Sequence, residues 1–406
     1  MNDAALLRLA GLIAEAGLAG QGELNLLQRF CERALAEGLP LARALVGVDT
    51  LHPVLEGSVF AWQRDGEDRI RQSDYARSEG DGEKWLRSPF YRLLESGESM
   101  IRRRLDAHYN GGEFPILDEL RDQGITDYVA IINRFGADAR IGEVDCVFSS
   151  WATDRADGFS DGHLAMLQFL VPQVALAVKS ASFARIAETL VNTYLGRDAG
   201  QRVLEGHITR GVADRINATL WFSDLEHFTR ISDTAPPADI IPFLNDYAGA
   251  LVSAIHGQDG DVLKFIGDGI LAVFSKGDAE TRCRQALAAA ADARERVAKL
   301  NAARVAEGKP VTNFYLGLHV GEVFFGNIGS VDRLDFTVVG PAVNETSRIA
   351  AMCRSLDQQV LLSSAFAGAA PGCREGLVSV GRYALRGVAM PQELFTLDPA
   401  ASHATK

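Results

Sequence analysis

Residues 218–232, ATLWFSDLEHFTRIS, and 260–275, GDVLKFIGDGILAVFS, decide how this chain folds. In each, a strand-like apolar run ends in a turn that carries an aspartate, Asp224 in the first and Asp268 in the second. Carboxylates delivered from neighbouring strand ends suit a pair of hard divalent cations, since Mg²⁺ takes oxygen ligands and binds through one or two carboxylates together with substrate phosphates. An aspartate in a turn is, taken singly, an ordinary turn-former or helix cap. Two in this arrangement point to metal-assisted chemistry on a phosphate.

Outward from these turns, the periodicity predicts strand 216–223, helix 237–257, and a hairpin of strands 261–266 and 270–275 about Gly267-Asp268-Gly269. Helix 278–306 follows, then strands 312–319 and 322–328 with a turn at Val320-Gly321, and a short strand at 334–338. Helix 342–354 and late strands at 359–363, 377–385 and 392–397 complete it. Strand, helix, hairpin, helix, strand is the order of a split β-α-β, ferredoxin-like sheet, here with extra hairpins: an α+β, palm-like layout.

The chain has 406 residues, beyond the roughly 250–300 at which one hydrophobic core stops growing, so two domains are expected. With 47% apolar and 23% charged residues the composition is globular. No apolar run approaches the ~20 residues of a membrane span. The opening MNDAALLRLAGLIAEAGLAG is amphipathic and acidic rather than signal-like, so a cytoplasmic protein without a membrane span is expected. Cys31, Cys146, Cys283, Cys353 and Cys373 are scattered and form no CxxC pair, which argues against a disulfide framework and structural zinc. A net charge of −12 argues against nucleic-acid binding, which depends on cations neutralising phosphates. A nucleotide ligand would need cations gathered at its own site.

Residues 1–182 read as a smaller α+β unit. Two helical patterns cover residues 3–38, and strands follow at 42–48, 58–63, 99–105, 128–134 and 145–153, with helices at 88–96 and 114–123 between them. A long helix opens at GFSDGHLAML, where Ser160 is placed to cap it, and its apolar spacing runs on towards Leu195. An antiparallel sheet with helices that feeds a long C-terminal helix resembles a GAF-like sensory module, as do LHPVLEGSVFAW, SPFYRLLESGESMIRRRL and WATDRADGFSD. The resemblance is architectural and names no ligand. Arg102, Arg103 and Arg104 read as a charged strand edge, and Trp62 and Trp151 as core. Residues 183–211 keep helical spacing and break at Gly196 and Gly200, a plausible connector for mechanical coupling.

Over residues 215–398, within an expected catalytic domain of 212–400, the sequence resembles the class III nucleotidyl cyclases, on FSDLEHFT (222–229), KFIGDGILAVF (264–274), GLHVGEVFFGNIG (317–329), FTVVGPAVNETSRIA (336–350) and LRGVAMPQELFTL (385–397). The preceding TYLGRDAGQRVLEGHITRG resembles the segment that leads into such domains in bacteria. The resemblance implies an adenylate cyclase that converts ATP to 3′,5′-cyclic AMP and pyrophosphate, with two Mg²⁺ or Mn²⁺ per site. It makes Asp224 and Asp268 the metal ligands and puts the backbone up to Phe228 beside the triphosphate. Lys264, a charge within an apolar strand, and Thr337 become the base-reading pair of the class IIIb branch. Asp335, on the same strand face as Thr337, could disturb that assignment.

Asn344 and Arg348 lie one helical turn apart and so share a face. By the resemblance Asn344 orients the ribose, Arg348 stabilises charge on the α-phosphate and Arg386 meets the terminal phosphates. Tyr315 and Leu316 stand where many relatives have an arginine, a departure that leaves one expected triphosphate contact either missing or supplied from elsewhere. In such enzymes two chains share each site, which implies a homodimer, regulated through an unidentified small molecule or ion at the N-terminal domain. A cyclase of other base specificity and a silent nucleotide-binding signalling module are the competing readings. No GGDEF-type turn supports a diguanylate cyclase, and no helix-turn-helix signal supports a DNA-binding regulator.

Overall fold

The computed structural model describes residues 3–66, 68–76 and 82–398 and divides the chain into two compact units, Met1–Leu190 and Val191–Lys406. The ends expected at Met1 and Ala400 lie outside the described residues.

The N-terminal unit comprises α1 (Asp3–Leu18), α2 (Glu23–Ala36), β1 (Arg43–Asp49), β2 (Leu55–Gln63), β3 (Ile70–Ala76), α3 (Gly82–Leu86), α4 (Pro89–Ser96) and β4 (Met100–Arg104). After them come α5 (Pro115–Asp122), β5 (Asp127–Arg134), β6 (Cys146–Thr153) and α6 (Asp161–Leu195), whose last turn enters the second unit. The strands form a sheet in the order β3-β2-β1-β6-β5-β4, antiparallel at every pairing. Period-two alternation sends Ala44, Val46, Val48, Trp62 and Trp151 into one core with α1, α2 and α6. Tyr128, Ala130, Ile132 and Phe148 face a second core, closed by α4 and α5. Trp62 and Trp151 are core residues, as expected.

β3 escaped the sequence reading because IRQSDYA has no apolar alternation; it is an exposed edge strand. Arg102, Arg103 and Arg104 lie on the opposite edge strand, β4, and all three are engaged: with Asp127 and the Phe159 carbonyl, with Glu113, and with the Asp157 carbonyl. The Ser160 hydroxyl accepts the His163 N–H at 3.3 Å, the expected cap of α6. By length and composition α6 could cross a membrane, which departs from the expectation of no such segment. Met166, Leu167, Leu170, Val171, Val174 and Val178 are buried in the core beside the sheet, whereas Phe169 and Leu176 are exposed.

The C-terminal unit continues with α7 (Arg197–Leu204), β7 (Ala213–Leu225), α8 (Phe228–Thr234), α9 (Pro237–His256), β8 (Asp261–Ile266), β9 (Gly269–Phe274) and α10 (Ala279–Ala306). It ends with β10 (Phe314–Gly329), β11 (Leu334–Val339), α11 (Pro341–Leu356), β12 (Val360–Ser363), α12 (Ser364–Ala369), β13 (Leu377–Tyr383) and β14 (Gln392–Leu397). The sheet order is β13-β14-β12-β10-β7-β9-β8, with β11 paired to the far half of β10. Trp221 and Leu225 of β7 pack with α9 and α10. Ala218 and Leu220, one residue out of phase, join Phe325, Val338 and Ala342 on the opposite face.

Two expectations built on glycine fail for one reason. No turn falls at Val320-Gly321: β10 is a single strand of 16 residues. A methyl at Gly317 would lie 2.6 Å from the Ala350 nitrogen and from the Thr346 carbonyl oxygen, and one at Gly321 would lie 2.5 Å from Ala342 Cβ. These glycines let α11 settle on the sheet rather than turning the chain. Gly200 likewise sits inside α7, packed against Asn192, and the helix break is at Gly196, whose φ is +86°. Gly317→Ala is expected to cost about 1–3 kcal/mol through overpacking. Urea denaturation of the purified protein measures that loss.

Candidate active site

Asp224 closes β7, and Asp268 occupies the two-residue turn between β8 and β9. Because β9 pairs with β7 up to Ser223, the turn arrives beside the end of β7. The Leu225 N–H donates to Asp268 Oδ2 at 3.2 Å. Asp224 keeps a face open to solvent while its carboxyl sits back against the strand ends. That partial burial, then the charge of Asp268 and a hydrogen bond with it, push the Asp224 carboxyl up to about 6. Two carboxylates held this close could take a cation between them, and they offer the hard-oxygen donors that suit Mg²⁺ or Mn²⁺. Tyr315 lies directly opposite Asp224 in the register of β10 with β7.

A second group gathers Lys264, Asp335 and Thr337. The Lys264 ammonium is ion-paired with the Asp335 carboxylate, and both are partly exposed. Thr337, expected to act beside Lys264, is 8% exposed, one strand period beyond Asp335 on β11. The partner of Lys264 in this structure is therefore Asp335.

α11 holds Asn344, which is exposed, and Arg348, one turn later. The Arg348 guanidinium lies against Gly387, φ +72°, where a methyl would come within 3.4 Å of both terminal nitrogens. The loop that bears the exposed Arg386 is thus brought to Arg348. Phe228 begins α8 and stacks on Phe243 with ring centroids 6.3 Å apart. Among the described residues, no hydrogen bond or ion pair joins Asp224 or Asp268 to Lys264, Thr337, Asn344 or Arg348.

Two supporting residues carried no readable signal. His319, inside GLHVG, is buried; its Nδ1 lies 2.8 Å from Ser363 Oγ and its Nε2 3.7 Å from Glu345, the neighbour of Asn344. Burial pushes His319 down to about 4, so the ring is neutral at pH 7 and the contact with Glu345 is polar rather than ionic. Asp261, three residues before Lys264, accepts the Arg197 N–H at 3.0 Å and the Asp198 N–H at 3.2 Å, and so pins the start of α7 to β8.

Residues 213–397 match the adenylate and guanylate cyclase catalytic domain. The matched segment lies within the C-terminal unit, which is thus similar to the adenylate and guanylate cyclase catalytic domains. The chain is 31% identical over 178 residues to adenylate cyclase 1 of Rhizobium meliloti, covering 42% of this chain and 26% of that protein. It is 34% identical over 161 residues to an adenylate cyclase of Anabaena cylindrica, covering 39% and 31%. Among solved structures, the adenylyl cyclase CyaB from P. aeruginosa aligns at 23% identity over 46% of this chain and 95% of that one, with a TM-score of 0.42. The matches span only about a quarter to a third of the two curated relatives.

Proposed function

We propose that the protein is an adenylate cyclase, converting ATP to 3′,5′-cyclic AMP and pyrophosphate. The observation that carries this reading is the convergence of Asp224 and Asp268, where burial first and then the neighbouring carboxylate raise the Asp224 carboxyl to about 6. Asp224 and Asp268 would hold two Mg²⁺ or Mn²⁺ ions, which supply stabilisation of the attacking and leaving oxygens of an in-line displacement. The backbone from Phe222 to Phe228 would follow the triphosphate. Asn344 would orient the ribose, Arg348 would meet charge growing on the α-phosphate, and Arg386, on the loop against Arg348, would reach the terminal phosphates.

Lys264 would donate to adenine N1, and Thr337 would accept from the amino group. Lys264→Glu is expected to lower kcat/KM for ATP by about 10–100-fold, the worth of one hydrogen bond to a charged donor. Steady-state kinetics with ATP and GTP read it. A second reading, a cyclase of other base specificity for GTP or a pyrimidine triphosphate, is favoured by the Lys264–Asp335 pair, which neutralises the expected base reader.

We further read the enzyme as a homodimer with sites shared between chains. In support, the carboxylate pair and the Lys264 group make no bond to each other within one chain, and Phe265 and Phe324 leave 57% and 48% of their surface exposed. The N-terminal unit, a helix-layered antiparallel sheet, is read as a GAF-like regulatory domain for a small molecule or ion, acting through α6 and α7. Assaying purified protein with ATP, Mg²⁺ and Mn²⁺ tests the function: cyclic AMP supports it, and its absence under both metals counts against it.

A further inference from the structure

In the N-terminal unit, α4 and α5 cover the second face of the sheet incompletely and leave a cavity of about 130 Å³. Leu45, Phe90 and Leu120 give it apolar walls, and Arg43, Ser88, Tyr128 and Ser150 are its polar members. An apolar protein cavity of about 150 Å³ holds a benzene molecule, so the space fits a ring or a short branched chain. The alternation of β1 decides what enters it: Ala44, Val46 and Val48 go to the opposite core, and Arg43 and Leu45 face this side.

Arg43 is the anomaly. Burial lowers its pKa, with Tyr128 and Glu119 acting favourably on it and Arg71 unfavourably. Among the described residues its guanidinium has no hydrogen bond and no ion pair, whereas the three arginines of β4 are all engaged. Tyr128, itself influenced by Ser150, is the polar neighbour that acts most favourably on Arg43, and it carries no formal charge at pH 7 to balance the guanidinium. Arg43 is half-buried and its guanidinium nitrogens keep access to solvent, so a ligand can take the place of water on them. The planar fork of an arginine matches a carboxylate with two parallel bonds. α4 also begins at this wall, at Ser88 and Pro89, and its N-terminus adds partial positive charge.

We propose that this cavity is a binding site for a small carboxylate with an apolar body, its carboxylate held by Arg43 and its body against Leu45, Phe90 and Leu120. The ligand class follows from one guanidinium, without an ion pair among the described residues, in the wall of a mostly apolar space.

The test is binding to the full chain by calorimetry and thermal shift, with benzoate, isovalerate and the neutral isostere benzamide, and so does not depend on cyclase activity. Benzoate or isovalerate is expected to bind and to raise Tm, at least about tenfold more tightly than benzamide, the margin a charge-assisted pair supplies. Arg43→Gln is expected to abolish that preference while leaving Tm of the free protein unchanged or higher. Ala152→Leu, which fills the cavity, is expected to abolish binding with Arg43 still present. Absence of binding by both carboxylates at 10 mM, equal binding of benzamide, or retained binding in either variant would overturn the proposal. A fall in Tm on Arg43→Gln would also overturn it, by making Arg43 a structural residue.

Discussion

Asp224→Asn is expected to lower cyclic nucleotide formation about 10³-fold or more while raising the thermal stability of the metal-free protein. The first effect follows from removing an oxygen donor from a site whose bound cations are worth several kcal/mol of transition-state stabilisation, at 1.36 kcal/mol per decade. The second follows from the carboxylate pair itself. Burial and the neighbouring Asp268 raise the folded-state pKa of Asp224 to about 6, above its ordinary value of 3.8. Between those values the native state holds more protons than the unfolded chain, so stability falls as pH rises through that window. At pH 7 the cost of the partly buried charge and its repulsion by Asp268 is fully present, and asparagine removes it. Because Asp224 is solvent-exposed, screening discounts the gain to about 1 kcal/mol. Differential scanning calorimetry in EDTA reads it, and a lower Tm in the variant would contradict the geometry. A stabilised but inactive protein separates a functional carboxylate from a structural one, whose loss would reduce both.

Mixing two inactive variants is expected to restore activity. If Asp224 and Asp268 come from one chain and Asn344 and Arg348 from its partner, Asp224→Asn puts the metal defect in one site of a mixed dimer. Arg348→Ala, on the other chain, puts the second defect in that same site. The remaining site is then complete. Random reassortment makes half the dimers mixed, each with one working site of two, so activity is expected to recover to about a quarter of wild type. Each variant assayed alone gives the baseline. No recovery after confirmed subunit exchange would mean that each site is built within a single chain.

The candidate site was legible where a polar or charged residue stands in a place that packing alone would not choose. Asp224 and Asp268 end apolar strands, Lys264 interrupts one, and Asn344 and Arg348 share a helix face; the structure gives all five those positions. The reading failed where one residue type has two uses. Glycine marks a turn when backbone freedom is needed and marks close packing when a neighbour must approach, and single-chain periodicity does not separate the two. Gly267, with φ +64°, is the first kind; Gly317 and Gly321, under α11, are the second. β3 was missed because its partners lie on one edge only and its sequence does not alternate. Asp335 was noticed as a complication to Thr337, yet its pairing with Lys264 depends on β8 and β11 meeting across 71 residues of chain, a separation no local pattern reports. His319 and Asp261 act on other elements and leave no local trace of their own.

The measurement that bears most directly on this account is product formation by the purified full chain from ATP, GTP, CTP and UTP separately, under Mg²⁺ and under Mn²⁺, with Asp224→Ala as the blank. The account predicts cyclic AMP from ATP that disappears in the variant. Cyclic AMP that persists in Asp224→Ala, or no cyclic product from any triphosphate with either metal, would contradict it.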